Sequence, residues 1–243
     1  MYCQWKEAGG MKIRVVIPNS SSEFTATQVA ERKKAAFTGT EVDVVCLPHG
    51  PVSIEYAWDE ALAAPYILEV ARKTEEEGYD AVTVDCAMDP SLRAVREQVS
   101  IPVTSGGESS FLMAMALGTK FSVVTVLEST AKVIRENLQK YGFTSRVASV
   151  RFANVPVLDL VDEEKAAQAI LVEAKKAIAD DGAEVIVLGC TGMSPLARKL
   201  QQELGVPVVD PAAASIKLAE ALAAMGLAHS KAAYLTPPDK EIR

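Results

Sequence analysis

The sequence predicts an α/β protein of two pseudo-symmetric lobes, each a mostly parallel four-stranded sheet flanked by helices. Short apolar, β-branched runs alternate with longer helix-compatible segments, and most of these runs lack a regular polar alternation. Apolar strands of this kind are covered on both faces, as in parallel sheets. The phrase GYDAVTVDC at 78–86 also returns as GAEVIVLGC at 182–190, which indicates that the strand–helix pattern occurs twice.

The first half of the chain supplies four strand candidates. Each is rich in Val, Ile or Thr, which favour strands, and a helix-compatible stretch, APYILEVARKTEEEG at 64–78, precedes the third. The candidates are 12–17 (KIRVVI), 42–47 (VDVVCL), 80–85 (DAVTVD) and 101–104 (IPVT).

The second half repeats the pattern with four more candidates. A long helix is expected between the second and third of them, because Asp162 lies two residues before Glu164 and Gly182 ends the segment, which are start and stop signals of a helix. The candidates are 120–126 (KFSVVTV), 147–152 (VASVRF), 183–188 (AEVIVL) and 206–209 (VPVV).

The spacing of the repeat predicts the division into lobes. The two cysteine-ending phrases are offset by 104 residues, and the openings KIRVVIPNSSS and KFSVVTVLEST by 108. We infer that residues 11–117 plus 211–243 form the first lobe and 118–210 the second, with a last helix at 212–225 packing back on the first. Residues 1–10 look like an N-terminal extension.

Composition excludes several classes of partner. The net charge is −7, with 25 basic and 32 acidic residues, which disfavours nucleic acid and anionic membranes as partners. No apolar run reaches the ~18 residues of a membrane span, and the start MYCQWKEAGG does not resemble a signal peptide. We therefore expect a cytoplasmic protein with a small-molecule substrate.

The cysteines and histidines do not suggest a metal site. Four cysteines lie far apart without a CxxC pair, and the sequence has two histidines, so we expect free thiols and no metal. No phosphate-binding glycine motif is present, which argues against a nucleotide.

Cys86 and Cys190 are the candidate catalytic residues. Each follows the end of a predicted strand and precedes a turn into a helix, and ligands of open parallel sheets bind at these carboxyl ends. A helix N-terminus lowers the pKa of a thiol. If the lobes face each other, one thiolate removes a proton from a carbon while the opposite thiol delivers one to the other face. The active site is then between the lobes.

Other strand ends carry small polar groups that could hold substrate oxygens. Hydroxyls, amides and helix-initial N–H donors stabilise an enolate as it forms, although Ser, Thr and Asn at such positions also cap helices. The candidates for substrate binding are Asn19, Ser20, Ser22, Gly107, Glu108, Ser129, Thr130, Thr191 and Gly192.

Two other interpretations of the cysteines stay open at this point. Either thiol could be a buried, inert side chain at a strand end. Cys46 also ends a predicted strand close to His49, so a Cys–His nucleophile pair is conceivable, although it has no counterpart in the second lobe.

Six phrases of the sequence are typical of one known family: VIPNSSSEFT (16–25), GPVSIE (50–55), DEALAAP (59–65), VDCAMDPSL (84–92), GGES (106–109) and VLGCTGM (187–193). With them, the chain from Met11 onward resembles the aspartate/glutamate/hydantoin racemase superfamily, and within it the hydantoin racemase branch, which includes allantoin racemases. The resemblance implies a homo-oligomeric racemase without a cofactor, in which Cys86 and Cys190 are the two acid/bases. It also implies substrate contacts from Asn19, residues 20–22, 107–108 and 191–192.

Departures from the family pattern point to the substrate. Ala87-Met88 replaces the Asn-Thr that typically follows the first cysteine of aspartate and glutamate racemases, and Gly192-Met193 stands where glutamate racemases carry His. Ala87-Met88 also departs from the Phe-Gly type pair of the hydantoin branch. With fewer polar side chains to bind the charges of an amino acid, these positions favour a neutral ring as substrate, such as a 5-substituted hydantoin or allantoin. The alternatives are an amino-acid racemase, a cysteine-dependent maleate isomerase or malonate decarboxylase relative, and a non-catalytic binder.

Overall fold

The computed structural model describes residues 10–238, which form eight strands and eight α-helices. The strands are β1 (Lys12–Ile17), β2 (Glu41–Cys46), β3 (Ala81–Val84), β4 (Val103–Ser105), β5 (Phe121–Thr125), β6 (Val147–Phe152), β7 (Val185–Leu188) and β8 (Val208–Val209). The helices are α1 (Ser22–Ala35), α2 (Ala57–Glu76), α3 (Leu92–Gln98), α4 (Gly106–Leu117), α5 (Glu128–Lys140), α6 (Glu163–Ala179), α7 (Ala197–Leu204) and α8 (Pro211–Ala224).

The strands form two sheets with the same topology. Their orders are β2-β1-β3-β4 and β6-β5-β7-β8, and every strand pair in residues 10–238 is parallel. The predicted α/β class with two four-stranded sheets is therefore confirmed. In each sheet the direction of the strand order reverses next to the strand that comes first along the chain, β1 or β5. Such a reversal leaves a crevice at the carboxyl ends of the strands.

The last strand of each sheet begins later than the sequence pattern predicts, for the same reason. The predicted strands 101–104 and 206–209 each contain a proline near the start, and proline has no N–H to donate to a neighbouring strand. The carbonyls of Pro102 and Pro207 still accept hydrogen bonds, at 3.0 Å from Val82 N and 3.0 Å from Ile186 N. Regular pairing therefore begins just after each proline.

Helices α4 and α8 each pack against the sheet formed by the other half of the chain. Phe111 and Ala114 of α4 pack in a cluster with residues of the second sheet such as Val123 and Val187. On α8, Ala219 and Ala223 pack against Ile13 and Ala81 of the first sheet. The last helix thus lies on the sheet formed by the start of the chain.

Helix α6 begins as its capping signal predicts. The side chain of Asp162 accepts a hydrogen bond from the backbone N–H of Lys165 at 3.2 Å, which satisfies one of the free donors of the first turn. In residues 10–238 no helix is both long and apolar enough to cross a bilayer. The predicted extension at 1–10 lies outside the described residues, except for Gly10.

Candidate active site

Cys86 and Cys190 lie at equivalent positions of the two sheets. Each cysteine comes two residues after its strand, β3 or β7, has ended, and both strands hold the third place in their sheet order. In each loop a backbone N–H two residues further on faces the sulfur as a donor, that of Met88 for Cys86 and that of Gly192 for Cys190. The two cysteine loops therefore repeat one local design.

Both cysteines line a single cavity at the carboxyl ends of the strands. Asn19, Thr191 and Gly192 line it too, so the structure brings together five of the residues singled out in the sequence. The full lining is Ile17, Pro18, Asn19, Phe24, Ile54, Asp85, Cys86, Val157, Cys190, Thr191 and Gly192. This is where a ligand of an open parallel sheet is expected to bind.

Three apolar side chains form a wall of this cavity that the sequence pattern did not reveal. Phe24 stands at the start of α1, while Ile54 and Val157 lie in connecting segments, and all three are buried. These residues come from three separate parts of the chain, so only the folded structure shows that they line one cavity with the thiols.

Asn19 is held in place by the end of β1. Its side-chain oxygen accepts a hydrogen bond from Ser21 N at 3.0 Å, and its backbone carbonyl accepts one from Leu47 N at 2.8 Å. The residue is buried. Its amide nitrogen is the group that remains to face the cavity as a donor.

Six of the nine predicted substrate-binding residues do not line the cavity, and four of these six are a serine or threonine. The hydroxyl of Ser20 donates to the carbonyl of Gly50 at 2.8 Å, and Ser22 is exposed in the first turn of α1. Ser129 lies in a separate surface groove. The hydroxyl of Thr130 hydrogen-bonds both backbone groups of the residue that caps α5. These contacts fit helix capping and loop closure.

Gly107 and Glu108 lie behind the Cys86 loop, at the start of α4. Their backbone N–H groups donate to the two oxygens of the Asp89 carboxylate, each at 2.8 Å. The side chain of Glu108 pairs with Arg96. Neither residue lines the cavity, and both act on the loop that carries Cys86.

Asp89 is a structural centre that the sequence analysis missed. Its backbone has φ +56°, a left-handed conformation that Asp tolerates better than most residues, and Oδ2 also accepts from the Tyr141 hydroxyl at 3.1 Å. Burial raises the pKa of this carboxyl to about 6, against the lowering effect of its hydrogen bonds. The sequence does contain one indication that this position is special, because an Asp-Pro pair follows Cys86 and none follows Cys190.

The thiols do not have the lowered pKa that their loop positions predict. Burial raises the pKa of Cys86 well above its ordinary value, and it raises the pKa of Cys190 to about 11. The backbone N–H donors of Met88 and Gly192 lower both, and Arg32 also lowers that of Cys190, but desolvation of the thiolate is the larger effect. The expectation of a lowered thiol pKa is corrected accordingly.

No cluster of His, Cys, Asp or Glu suited to a metal ion occurs in the described part of the chain. Among the groups that line the cavity are two thiols and the side-chain amide of Asn19.

The sequence matches a known protein family. The Asp/Glu/Hydantoin racemase family model matches residues 13–219. The chain belongs to this family. A hydantoin racemase of Paenarthrobacter aurescens is 39% identical over 234 residues, which cover 95% of this chain and 99% of that protein.

Solved structures of racemases are similar over almost the whole chain. An allantoin racemase from Klebsiella pneumoniae superimposes with a TM-score of 0.92 at 39% identity, covering 96% of each chain. An allantoin racemase from Pseudomonas fluorescens gives 0.91 at 35% identity, covering 96% of this chain and all of that one. The resemblance seen in the sequence is confirmed, and the chain is a racemase enzyme.

Proposed function

We propose that this racemase inverts C5 of a 5-substituted hydantoin without a cofactor, with Cys86 and Cys190 as a pair of acid/bases. The observation that carries the proposal is that both thiols line one cavity. C5 lies between a ring carbonyl and a ring nitrogen, so the carbonyl can delocalise the electron pair left when its proton is removed. Two groups on opposite faces of such a carbon are what inversion requires.

The reaction is balanced by the cysteines alone. One cysteine, as thiolate, takes the C5 proton and becomes a thiol, while the C5–H electron pair moves to the carbonyl oxygen as an enolate. The other cysteine then donates its proton to the opposite face of C5 and becomes the thiolate. In this proposal, backbone N–H groups of the cysteine loops and the Asn19 amide stabilise the oxyanion.

The cavity lining favours an apolar substituent on C5. Phe24, Ile54 and Val157 offer a buried apolar wall, and the charged side chain among the lining residues, Asp85, is acidic. An α-carboxylate would find no cation among these residues, which argues against free aspartate or glutamate. The ureido group of allantoin would lie against apolar side chains, and burying such a polar group unpaired costs about 1–3 kcal/mol.

A substrate panel tests this proposal. We expect 5-benzylhydantoin and 5-isopropylhydantoin to be racemised with a kcat/KM about tenfold or more above that of allantoin, from the same desolvation cost. Aspartate and glutamate should keep their optical rotation. Polarimetry with each single enantiomer measures all five rates, and racemisation of the free amino acids alone would overturn the proposal.

The raised pKa values predict a rate that increases with pH. Below the pKa of a thiol the thiolate fraction rises about tenfold per pH unit, and Cys190 has a pKa of about 11. We expect kcat/KM to rise steadily from pH 7 to pH 9, and to fall once both thiols are ionised, since one must stay protonated. The base-catalysed background is measured with Cys86→Ala and subtracted. A flat profile across this range would contradict the assignment of a thiolate base.

We also propose that the protein is a cytoplasmic homo-oligomer. Cys46, Cys86 and Cys190 are free thiols, as is usual for proteins of a reducing compartment. Trp58, at 72% exposure, and Leu62 expose apolar surface on one end of α2, which supports self-association. Light scattering on the purified protein measures its mass, and a monomer at micromolar concentration would count against the assembly.

A further inference from the structure

A buried ion pair stands beside the Cys86 loop. Arg32, on α1, is 1% exposed and Asp85, the residue before Cys86, is 2% exposed. The Nε and Nη2 atoms of Arg32 both donate to Asp85 Oδ2, at 2.9 and 2.7 Å. Nη1 donates to Gln28 Oε1 at 2.9 Å, which fixes the guanidinium on its own helix.

The same guanidinium also reaches the Cys190 loop. Arg32 Nη2 donates to the backbone carbonyl of Thr191 at 2.9 Å, and Thr191 Oγ1 donates back to the carbonyl of Asp85 at 3.0 Å. Asp85, which precedes Cys86, and Thr191, which follows Cys190, are thus joined by a hydrogen bond. They also share the Arg32 side chain as a hydrogen-bond donor. These contacts connect the carboxyl ends of the two sheets at the cavity.

Stability alone does not account for a buried pair of this kind. Removing two charges from water costs several kcal/mol per ion, and apolar side chains of similar volume often serve a core as well or better. A planar guanidinium, however, presents several donors in a fixed geometry. Here that geometry relates two loops, each of which carries a thiol that lines the cavity.

We propose that Arg32 is a positioning residue that sets the separation and facing of Cys86 and Cys190. The inference rests on the proposed two-cysteine racemisation. A displaced pair of thiols loses inversion first, because inversion needs both sulfurs aligned with one carbon at the same time. Exchange of the C5 proton on one face needs a single thiol and tolerates a shift of the other.

The test compares inversion with exchange in Arg32→Gln and Arg32→Lys. Each enantiomer is incubated in D₂O, inversion is followed by chiral chromatography, and exchange without inversion by mass spectrometry. We expect inversion to fall about 100-fold, as a displacement of about 1 Å can cost, and exchange to fall about fivefold or less. Lysine keeps the positive charge but lacks the several donors of the planar guanidinium, so we expect Arg32→Lys to restore little of the inversion rate.

A matched control removes a different arginine. Arg151 donates to Asp181 at 2.6 Å through Nε in the second sheet, away from the cavity, and Arg151→Gln should leave the ratio of inversion to exchange unchanged. If Arg32→Gln does not fold because it leaves Asp85 unpaired, the Arg32→Gln/Asp85→Asn double variant removes both charges and is assayed instead. A parallel fall of inversion and exchange would show a merely structural role and overturn the proposal.

A measurement without substrate separates this inference from the proposed function. With Cys3 and Cys46 changed to serine, dibromobimane can link Cys86 to Cys190, and the linked product is counted against single alkylation by monobromobimane. We expect the linked fraction to fall at least severalfold in Arg32→Gln. An unchanged fraction would overturn the positioning role. Wild-type enzyme inactive on all hydantoins would instead overturn the proposed function and leave this result standing.

Discussion

Replacing Cys86 or Cys190 by alanine is expected to lower the kcat of racemisation by about 10³, within the range that general acid–base groups contribute. Each variant lacks either the base or the acid for both directions of inversion, because the two roles exchange when the substrate enantiomer changes. Proton exchange in D₂O should survive for one enantiomer in each variant, and for opposite enantiomers in the two. Chiral chromatography and mass spectrometry of the recovered substrate measure both quantities.

Cys46→Ala is the matched control for these variants. Cys46 ends β2, outside the lining of the cavity, so its removal should leave kcat unchanged and would also exclude the Cys46–His49 pair as the catalytic unit. Full turnover by either Cys86→Ala or Cys190→Ala would refute the two-base scheme. Loss of exchange for both enantiomers in a single variant would point to one catalytic cysteine instead.

Gly107→Ala is expected to destabilise the fold by about 2–3 kcal/mol, as overpacking does, and to lower kcat about 100-fold by displacing a thiol. A Cβ at this position would overlap the backbone carbonyl of Ala87 and lie 2.6 Å from Asp89 Oδ2. Both belong to the Cys86 loop and cannot move without it. Urea unfolding and the racemisation rate measure the two effects.

Gly142→Ala controls for the loss of a glycine as such. Gly142 has φ +80° and no atom within 4 Å of an added Cβ, so it should lose about 1 kcal/mol through backbone strain and keep its kcat. If Gly107→Ala were as stable as Gly142→Ala and raised only KM, the glycine would be a substrate contact, as its sequence position suggested, and the packing explanation would fail.

The fold was predictable because its signals are local. Eight apolar runs stand where residues 10–238 form eight strands, and the repeated phrase placed Cys86 and Cys190 at matching strand ends. Errors concern ends of elements, as at Pro102 and Pro207, where the missing N–H delays the strand. Such shifts follow from single residues and could have been allowed for.

The surroundings of the thiols were not predictable in the same way. The pKa values depend on how much water the folded cavity excludes, which no short stretch of sequence reports. Arg32 and Thr191 are 159 positions apart, and Asp89 and Tyr141 are 52 apart, so these partners meet only through tertiary packing. The sequence also could not separate Ser129 and Thr130 from residues that line the cavity, because helix caps and ligand-binding groups share a composition.

The two cysteine loops have unequal surroundings, yet the enzyme can differ between mirror-image substrates in only one way. Asp89 and Tyr141 brace the Cys86 loop, whereas the carbonyl after Cys190 receives Arg32. Enantiomers have the same free energy, so the Haldane relation requires equal kcat/KM in the two directions whatever this asymmetry. The difference between the loops can therefore change kcat and KM only together and in proportion, giving one hand faster turnover at weaker apparent affinity.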